Sequence, residues 1–233
     1  SAGFASKILQ DSRGFMWFGT GDGLNRYDGY EFTVFTNSSF DSTSISHNHI
    51  TTLFEDRKNR LWVGTIQGLN VFDQDLEVFY HIKLPTKQDK NLGRCFILNV
   101  CEDQSGALWV MTLASGIFRI APIPSDSSET RYFDIDSLQI THYTFNENGP
   151  SKTSPKQCLC DSQDRLWVMT YAGVAKTDNI SKSFISLDLE IVITTDSTNE
   201  NDITSIYEDR QQNIWLATVC LLYTSDAADD QAS

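Results

Sequence analysis

The chain has 233 residues, of which 40% are hydrophobic and 21% are charged, a composition typical of a folded globular protein and not of a disordered one. Its formal net charge of −13 argues against a nucleic-acid partner, because phosphate backbones are bound by clustered Lys and Arg. No apolar run approaches the roughly 18 to 20 residues that a membrane helix needs, so we expect no membrane contact by this part of the chain.

The first informative stretch is "GFMWFGTGDGLNRYDG", residues 14–29, which is rich in glycine and aromatic residues. A glycine-rich loop can cradle phosphate groups, but such a loop leads into a helix and commonly carries Gly-Lys-Ser/Thr. No helical periodicity follows this stretch, and the chain has no such tripeptide. We therefore interpret these glycines as turn residues of a sheet.

The same pattern recurs along the chain, once around each tryptophan. Examples are "RLWVGTIQGL" in the second unit and "ALWVMTLASGI" in the third. The tryptophans are separated by 45, 47, 58 and 48 residues and occupy the same position of each unit: Trp17, Trp62, Trp109, Trp167 and Trp215. Self-similarity at such a period indicates a repeat architecture.

Each unit divides into four short apolar segments, which in the second unit are "ITTLFE", "LWVGT", "LNVF" and "EVFYHI". Segments of this length, rich in β-branched and aromatic residues and bounded by turn formers, predict strands. The first turn of a unit follows the pattern Asp-x-x-Gly, whose last position needs a positive φ. Asn59 and Asp164 fill that position in units two and four, and both residue types tolerate left-handed geometry.

Four antiparallel strands repeated every 45 to 50 residues predict an all-β fold, a β-propeller of four-stranded antiparallel blades. We expect about four and a half blades in an open, incomplete ring. The predicted propeller spans residues 1–219, with units near residues 6–37, 48–83, 95–145, 155–187 and 202–218. Residues 220–233, "CLLYTSDAADDQAS", break the strand pattern and are interpreted as a non-native, adaptor-like tail.

Two segments, "EDRKNRLWVGTIQGLNVFD" (55–73) and "QDSRGFMWFGTGDGLNRYDG" (10–29), closely resemble the two-component regulator propeller repeat. The resemblance covers residues 6–218. Units three and four depart from it at Met111 and Met169, where the family repeat has Gly.

This resemblance implies the periplasmic sensor portion of an inner-membrane hybrid histidine kinase, of the kind with which gut Bacteroidetes detect oligosaccharides. In that family two propellers precede a sandwich domain, a membrane helix, kinase and receiver domains, and a DNA-binding domain. The expected partners are an oligosaccharide or other small ligand, the remaining blades and downstream domains of the same chain, and a second copy in a homodimer of the full-length protein. The fragment itself is then not an enzyme, and we expect no cofactor and no metal.

Sugar sites combine aromatic platforms with polar donors and acceptors, and loops on a fixed scaffold are where binding residues concentrate. Six candidate ligand-binding residues lie in predicted loops or near them: Asp22, Arg26, Gln67, Asn70, Arg94 and Tyr171. The alternative interpretation of each, an ordinary solvated surface residue, is the more common case. The acidic balance of the chain disfavours a polyanionic ligand.

Two other functions remain open, a propeller lyase or glycosidase and a cytoplasmic interaction scaffold. Catalysis would need carboxylates or a histidine converging on one pocket. The acids instead recur at the hairpin start of every unit, which indicates turn formers. His47-x-His49 lacks a third metal ligand nearby in sequence, and Cys158-x-Cys160 is too tightly spaced for a zinc knuckle, so we interpret these cysteines as structural thiols. Sequence downstream of the chain would identify a scaffold, because a membrane helix and kinase boxes would exclude it.

We interpret the recurring tryptophans as inter-blade packing residues, because the faces of an isolated blade are apolar and are buried by its neighbours. Replacing Trp62 or Trp109 with Ala should therefore lower the free energy of unfolding by roughly 3–5 kcal/mol. Denaturant titration would measure the loss. A loss below about 1 kcal/mol, which is ordinary for a surface substitution, would contradict the packing role.

Overall fold

The computed structural model describes residues 4–85, 95–121, 138–145, 155–170, 173–177, 186–187, 190–194, 203–218 and 222–224. These residues form five antiparallel sheets, each built from strands that follow one another closely in sequence. We call the sheets blades 1 to 5 in chain order.

Blades 1 to 3 each contain four strands in sequence order. Blade 1 consists of β1 (Lys7–Gln10), β2 (Met16–Gly19), β3 (Leu24–Tyr27) and β4 (Phe32–Phe35). Blade 2 consists of β5 (Ile50–Glu55), β6 (Leu61–Thr65), β7 (Leu69–Asp73) and β8 (Val78–Ile82). Blade 3 consists of β9 (Ile97–Glu102), β10 (Leu108–Thr112), β11 (Ile117–Ile120) and β12 (Ile140–Phe145).

Blade 4 differs from the expected unit in its last strand. It consists of β13 (Pro155–Cys160), β14 (Leu166–Thr170), β15 (Gly173–Lys176) and β17 (Glu190–Thr194). The fourth strand thus lies beyond residue 187, in a stretch expected to be a link. The short strand β16 (Ser186–Leu187) pairs in parallel with β12 and extends the outer edge of blade 3.

Blade 5 is incomplete and consists of β18 (Ile203–Glu208), β19 (Ile214–Thr218) and β20 (Leu222–Thr224). Strand β20 falls within residues 220–233 and pairs antiparallel with β19. Among the described strands, none of blade 5 pairs with blade 1. The predicted all-β propeller with an open ring is therefore confirmed.

The first strand of each blade lies at the inner edge of the arc. Strands β1, β5, β9, β13 and β18 follow one another in space, each in contact with the first strand of the next blade. Among the described residues, the third and fourth strands of neighbouring blades lie farther apart and meet through long side chains, as where the Phe35 ring of β4 lies 5.2 and 5.6 Å from the Phe72 and Phe79 rings of blade 2. The blades therefore fan outward from their first strands. We call the sheet surface that meets the following blade the front face and the surface that meets the preceding blade the back face.

A tryptophan fills the boundary between consecutive blades. Trp62 on the front face of blade 2 shares a buried apolar cluster with Ile97 and Val100 of blade 3. The other internal boundaries each hold one buried tryptophan from the preceding blade: Trp17, Trp109 and Trp167.

Each tryptophan is held by an aspartate six residues earlier. In blade 2 the indole Nε1–H of Trp62 donates to Asp56 Oδ2 at 2.8 Å. The other carboxylate oxygen accepts the backbone N–H groups of Lys58 and Arg60 at 2.9 and 3.0 Å. The remaining pairs have indole-to-carboxylate distances between 2.7 and 2.9 Å: Asp11–Trp17, Asp103–Trp109, Asp161–Trp167 and Asp209–Trp215. The same carboxylate therefore fixes both the turn and the indole.

The turns that follow these aspartates use left-handed backbone at their last position. Asn59 and Asp164 have φ values of 59° and 61°, which confirms the geometry expected for them. Gln212 in blade 5 adopts φ 68° in the equivalent turn.

At the first two boundaries, neighbouring blades approach closely at a glycine two residues after the tryptophan. A Cβ atom added to Gly64 would lie 2.5 Å from Thr52 Cγ2 and 2.8 Å from Ile97 Cγ2 of blade 3. A Cβ atom on Gly19 would likewise lie 2.7 Å from Ile50 Cγ2 of blade 2. At these two boundaries, glycine lets the isoleucine of the next first strand sit directly on the sheet.

Gly64→Ala should destabilise the protein by about 1–3 kcal/mol, because the new methyl group overpacks the boundary between blades 2 and 3. Thermal or denaturant unfolding would measure the loss. Gly21→Ala is the matched control, since a Cβ atom there has no heavy atom within 4 Å. Equal stability of the two variants would contradict the close approach of the blades.

Candidate functional site

One end of the propeller carries the links between consecutive blades. Because adjacent strands are antiparallel, the link into each blade and the turn between its second and third strands meet at the same end. In blade 2, Ile66 in this turn donates its backbone N–H to His49 O in the link at 3.3 Å, and in blade 3 Leu113 donates to Phe96 O at 3.0 Å. We call this end the link face.

A threonine closes the link-face turn in blades 1, 2 and 3. Thr20 Oγ1 donates to Gly23 O at 2.8 Å and accepts the backbone N–H of Asp22 at 3.1 Å. Thr65 Oγ1 is placed equivalently, with Gly68 O at 3.0 Å and the N–H of Gln67 at 3.1 Å. Thr112 repeats the contact to a glycine carbonyl in blade 3. The threonine hydroxyl therefore adds side-chain hydrogen bonds that hold the backbone of the turn.

Asp22 and Gln67 occupy equivalent positions in neighbouring turns of the link face. Both side chains are exposed. Their backbones are fixed by the threonine hydroxyls, so the two polar groups are presented from rigid turns. One carboxylate and one amide supply both acceptors and donors for a hydroxyl-rich ligand.

Two other sequence candidates have structural partners. Arg26 is half-buried at the boundary of blades 1 and 2, where its guanidinium lies 5.0 Å from the centroid of the Phe15 ring and forms a 2.8 Å ion pair with Glu77. Asn70 is fully buried, and its amide bonds Ser46 and the carbonyl of Val63.

Asn70 also links the incoming chain to the blade. Its Nδ2 donates to Ser46 Oγ at 2.9 Å, and its Oδ1 accepts the backbone N–H of Ser46 at 3.0 Å. This residue therefore anchors the link of residues 36–49 onto blade 2. Arg94 and Tyr171, the remaining candidates, lie outside the described residues.

A set of residues that the sequence analysis did not single out lies on the innermost strands. Four first strands carry a β-bulge at the same place, close to the link face, with one residue of each strand left out of register. The bulged residues are Thr51, Leu98, Lys156 and Thr204. Bulges re-aim a side chain and are common at barrel rims and near binding sites.

Three of the four bulged residues place polar groups at the inner edge of the link face. Lys156 Nζ donates to Ile203 O of blade 5 at 3.2 Å. Thr204 is exposed and donates to Ala217 O at 3.1 Å. Thr51 Oγ1 is buried and has no hydrogen-bond partner among the described residues. The inner edge thus combines one cation with hydroxyl groups.

Three cysteines meet at the boundary of blades 3 and 4. Cys101 Sγ lies 3.6 Å from Cys158 Sγ, and Cys160 lies beside them. Burial raises the pKa of the Cys101 and Cys160 thiols, and the contact with Cys101 together with burial raises the pKa of Cys158. Burial also raises the pKa of Cys95 to about 11. Among the described residues, no group of three His, Cys, Asp or Glu side chains is arranged to hold a metal ion.

These thiols should resist alkylation in the folded protein at pH 8, because the thiolate is the nucleophile and a raised pKa keeps the thiol protonated. With a pKa of about 11, Cys95 would be ionised in about one molecule in a thousand at this pH. Iodoacetamide labelling followed by peptide mass spectrometry would report each site. We expect labelling of Cys95 to rise about tenfold per pH unit between pH 8 and 10. Rapid labelling of Cys101 or Cys158 without unfolding would contradict the packed boundary, and labelling in urea provides the reactive control.

In the part of the chain that the structure describes, no helix is long and apolar enough to cross a membrane.

Comparison with known families supports the repeat pattern. The model of the two-component regulator propeller family matches residues 1–22, 44–67 and 197–219. The histidine kinase P4 of Formosa agariphila is 54% identical over 39 residues, which is 17% of this chain and 3% of that protein. The chain therefore spans a small part of this curated relative.

Solved structures share the fold. The extracellular domain of BT4673 from B. thetaiotaomicron, described as part of a hybrid two component system, aligns over 96% of this chain with a TM-score of 0.72 and 21% identity. That of BT3049 from the same organism aligns with a TM-score of 0.70 and 22% identity. The chain covers 30% and 28% of those two structures. Virginiamycin B lyase from Staphylococcus aureus aligns over 95% of this chain with a TM-score of 0.66 and 11% identity.

Proposed function

Because this chain contains two-component regulator propeller repeats, we propose that it forms part of the extracytoplasmic sensor propeller of a hybrid histidine kinase. The family match in three separate blades and the short, strong similarity to a histidine kinase support this proposal. In this role the chain lies in the periplasm and performs no catalysis itself. Kinase activity belongs to other domains of the full-length protein.

The proposed ligand is a neutral oligosaccharide that binds at the link face. The observation that carries this part of the proposal is the pair of threonine-fixed turns, which hold Asp22 and Gln67 exposed at equivalent positions of adjacent blades. Rigid, exposed donors and acceptors suit a ligand rich in hydroxyl groups, because little side-chain and backbone freedom is lost on binding. The net charge of −13 works against a polyanionic glycan.

Binding alone does not signal, so the ligand must distinguish two states of the sensor. A ligand shifts an equilibrium only by its differential affinity for the two states. In this proposal the rigid blades supply the binding surface, and a full-length homodimer supplies the two states. Arg94 and Tyr171 stay candidate contributors from links outside the described residues.

No second function is proposed from the lyase similarity. At 11% identity that comparison shows the shared propeller fold alone. The repeated aspartates, which an enzyme could have used, accept indole and backbone N–H groups in every blade.

Isothermal titration of the chain with a panel of neutral oligosaccharides from plant and host glycans, beside sulfated counterparts, tests the proposal. We expect binding to neutral members, weakened about tenfold or more in the double variant Asp22→Ala and Gln67→Ala through the loss of two polar contacts.

The matched control is Gln211→Ala, because Gln211 is an exposed glutamine in a turn at the opposite end of blade 5. It should leave the affinity unchanged. No binding across the panel, a preference for sulfated glycans, or an equal loss in the control would overturn the proposal of a link-face sugar site.

A further inference from the structure

Each boundary between blades contains a pair of side chains from the two first strands. The penultimate residue of a first strand lies opposite the tryptophan in the strand pairing and shares the front face with it. It belongs to the same apolar cluster as the third-last residue of the next first strand. The four pairs are Leu9–Leu53, Phe54–Val100, Cys101–Cys158 and Leu159–Ile206.

The pair between blades 3 and 4 differs from the others in its chemistry. Three pairs consist of hydrocarbon side chains, whereas both members of this pair are cysteines. The S–H of Cys101 donates to Cys158 Sγ at 3.6 Å, and both side chains are buried. Two sulfur atoms therefore make the contact that carbon atoms make at the other boundaries.

Asn99 holds Cys158 in position from the opposite blade. Its Oδ1 accepts the backbone N–H and the thiol S–H of Cys158, each at 3.2 Å. Because an asparagine side chain is short, these contacts place the backbones of β9 and β13 about one side chain apart. A disulfide spans such a gap, since it joins Cα atoms about 4.4–6.8 Å apart. Its S–S bond is about 2 Å long, so the two sulfur atoms need to approach by about 1.5 Å.

Cys160 is a second neighbour of Cys101, two residues farther along β13. The contacts of Asn99 distinguish the two candidates, because they hold both the backbone and the thiol of Cys158 against blade 3. They therefore favour Cys158 as the partner of Cys101.

We propose that Cys101 and Cys158 are oxidised to a disulfide that joins blades 3 and 4, with another disulfide compound as the oxidant. The thiolate of one cysteine attacks a sulfur atom of the oxidant and releases one thiol. The thiolate of the other cysteine then attacks the mixed disulfide and releases the second thiol. The two cysteines lose two electrons and two protons, and the oxidant is reduced to two thiols. The inference rests on the extracytoplasmic location proposed above, because disulfides form and persist in such compartments.

The closed boundary determines when this exchange takes place. Both thiols are buried in the folded chain, so an external disulfide reaches them before blades 3 and 4 have packed together. The bond then closes a loop of residues 101–158, which contains the remaining strands of blade 3. Closing a loop of this length restricts the unfolded chain, so the oxidised protein should be the more stable form.

The test refolds the reduced complete chain from urea in a mixture of reduced and oxidised glutathione. Peptide mass spectrometry without reduction then identifies the cross-links. We expect a link between Cys101 and Cys158, and neither residue should react with iodoacetamide in urea until a reductant is added. The oxidised chain should unfold about 5–15 °C above the reduced chain, because the loop restricts the unfolded state.

Two variants separate the disulfide from ordinary packing. Cys101→Ser should lose the cross-link, and its unfolding midpoint should be the same under oxidising and reducing conditions. Cys160→Ser is the matched control and should keep both the cross-link and the shift. Comparing each variant with its own reduced form removes any effect of the substitution on packing.

Three results would refute the disulfide: no cross-link in the refolded parent, a link from Cys101 to Cys160 in its place, or loss of the shift in Cys160→Ser. The purified chain is tested without sugar, so failure here leaves the proposed sensor role standing. Failure to bind oligosaccharides likewise leaves the disulfide standing.

Discussion

The hydrogen bond between an aspartate carboxylate and the indole N–H six residues later is the interaction on which this structure depends. A buried indole needs an acceptor, and a buried carboxylate needs several donors. Asp56 meets both needs, since it accepts Trp62 Nε1–H and two backbone N–H groups of the turn. One side chain thereby closes the hairpin and fixes the indole on the front face of the blade. Its recurrence in five blades gives every boundary the same geometry.

Once the indole is fixed, the chain behaves as a one-dimensional stack in which each blade contacts only its neighbours. The close approach of Gly19 to Ile50 and of Gly64 to Ile97 shows how tightly two blades can meet. In blades 3 and 4 methionine takes the glycine position, and its flexible side chain fills the boundary instead. The boundary thus tolerates different volumes as long as the tryptophan and its aspartate remain.

The tryptophan spacing and the four apolar segments of a unit were enough to predict the propeller, its strands and its open ring. The bulges were not predicted, and they are evident from the structure because Ile50 and Leu53 are three residues apart yet both face blade 1. A regular strand alternates every two residues, so this spacing requires an extra residue. Residue type could not show that Arg26 and Asn70 have structural partners, because an ion pair to Glu77 and a link anchored at Ser46 are long-range contacts. The position of β17 was missed for a similar reason, since its pairing with β15 is fixed by tertiary structure.

At the boundary between blades 3 and 4, an inter-blade hydrogen bond found at the other boundaries is kept although the residue that accepts it differs. At the end opposite the link face, the backbone N–H that follows a turn aspartate donates to a glutamate of the next blade, as Ser12 does to Glu55 and Arg57 to Glu102. Blade 4 has Cys160 at the position of that glutamate, and a thiol is a weak acceptor. Asp164, the left-handed residue of the following turn, accepts the Gln104 N–H in its place at 3.1 Å. The hydrogen bond between blades 3 and 4 is therefore made by a different acceptor residue. The inter-blade contact at this end is compatible with large changes in length beside it, since 19 residues separate β11 from β12 there, whereas four residues separate β3 from β4 in blade 1. Loops at both ends can therefore vary without disturbing the stack of blades.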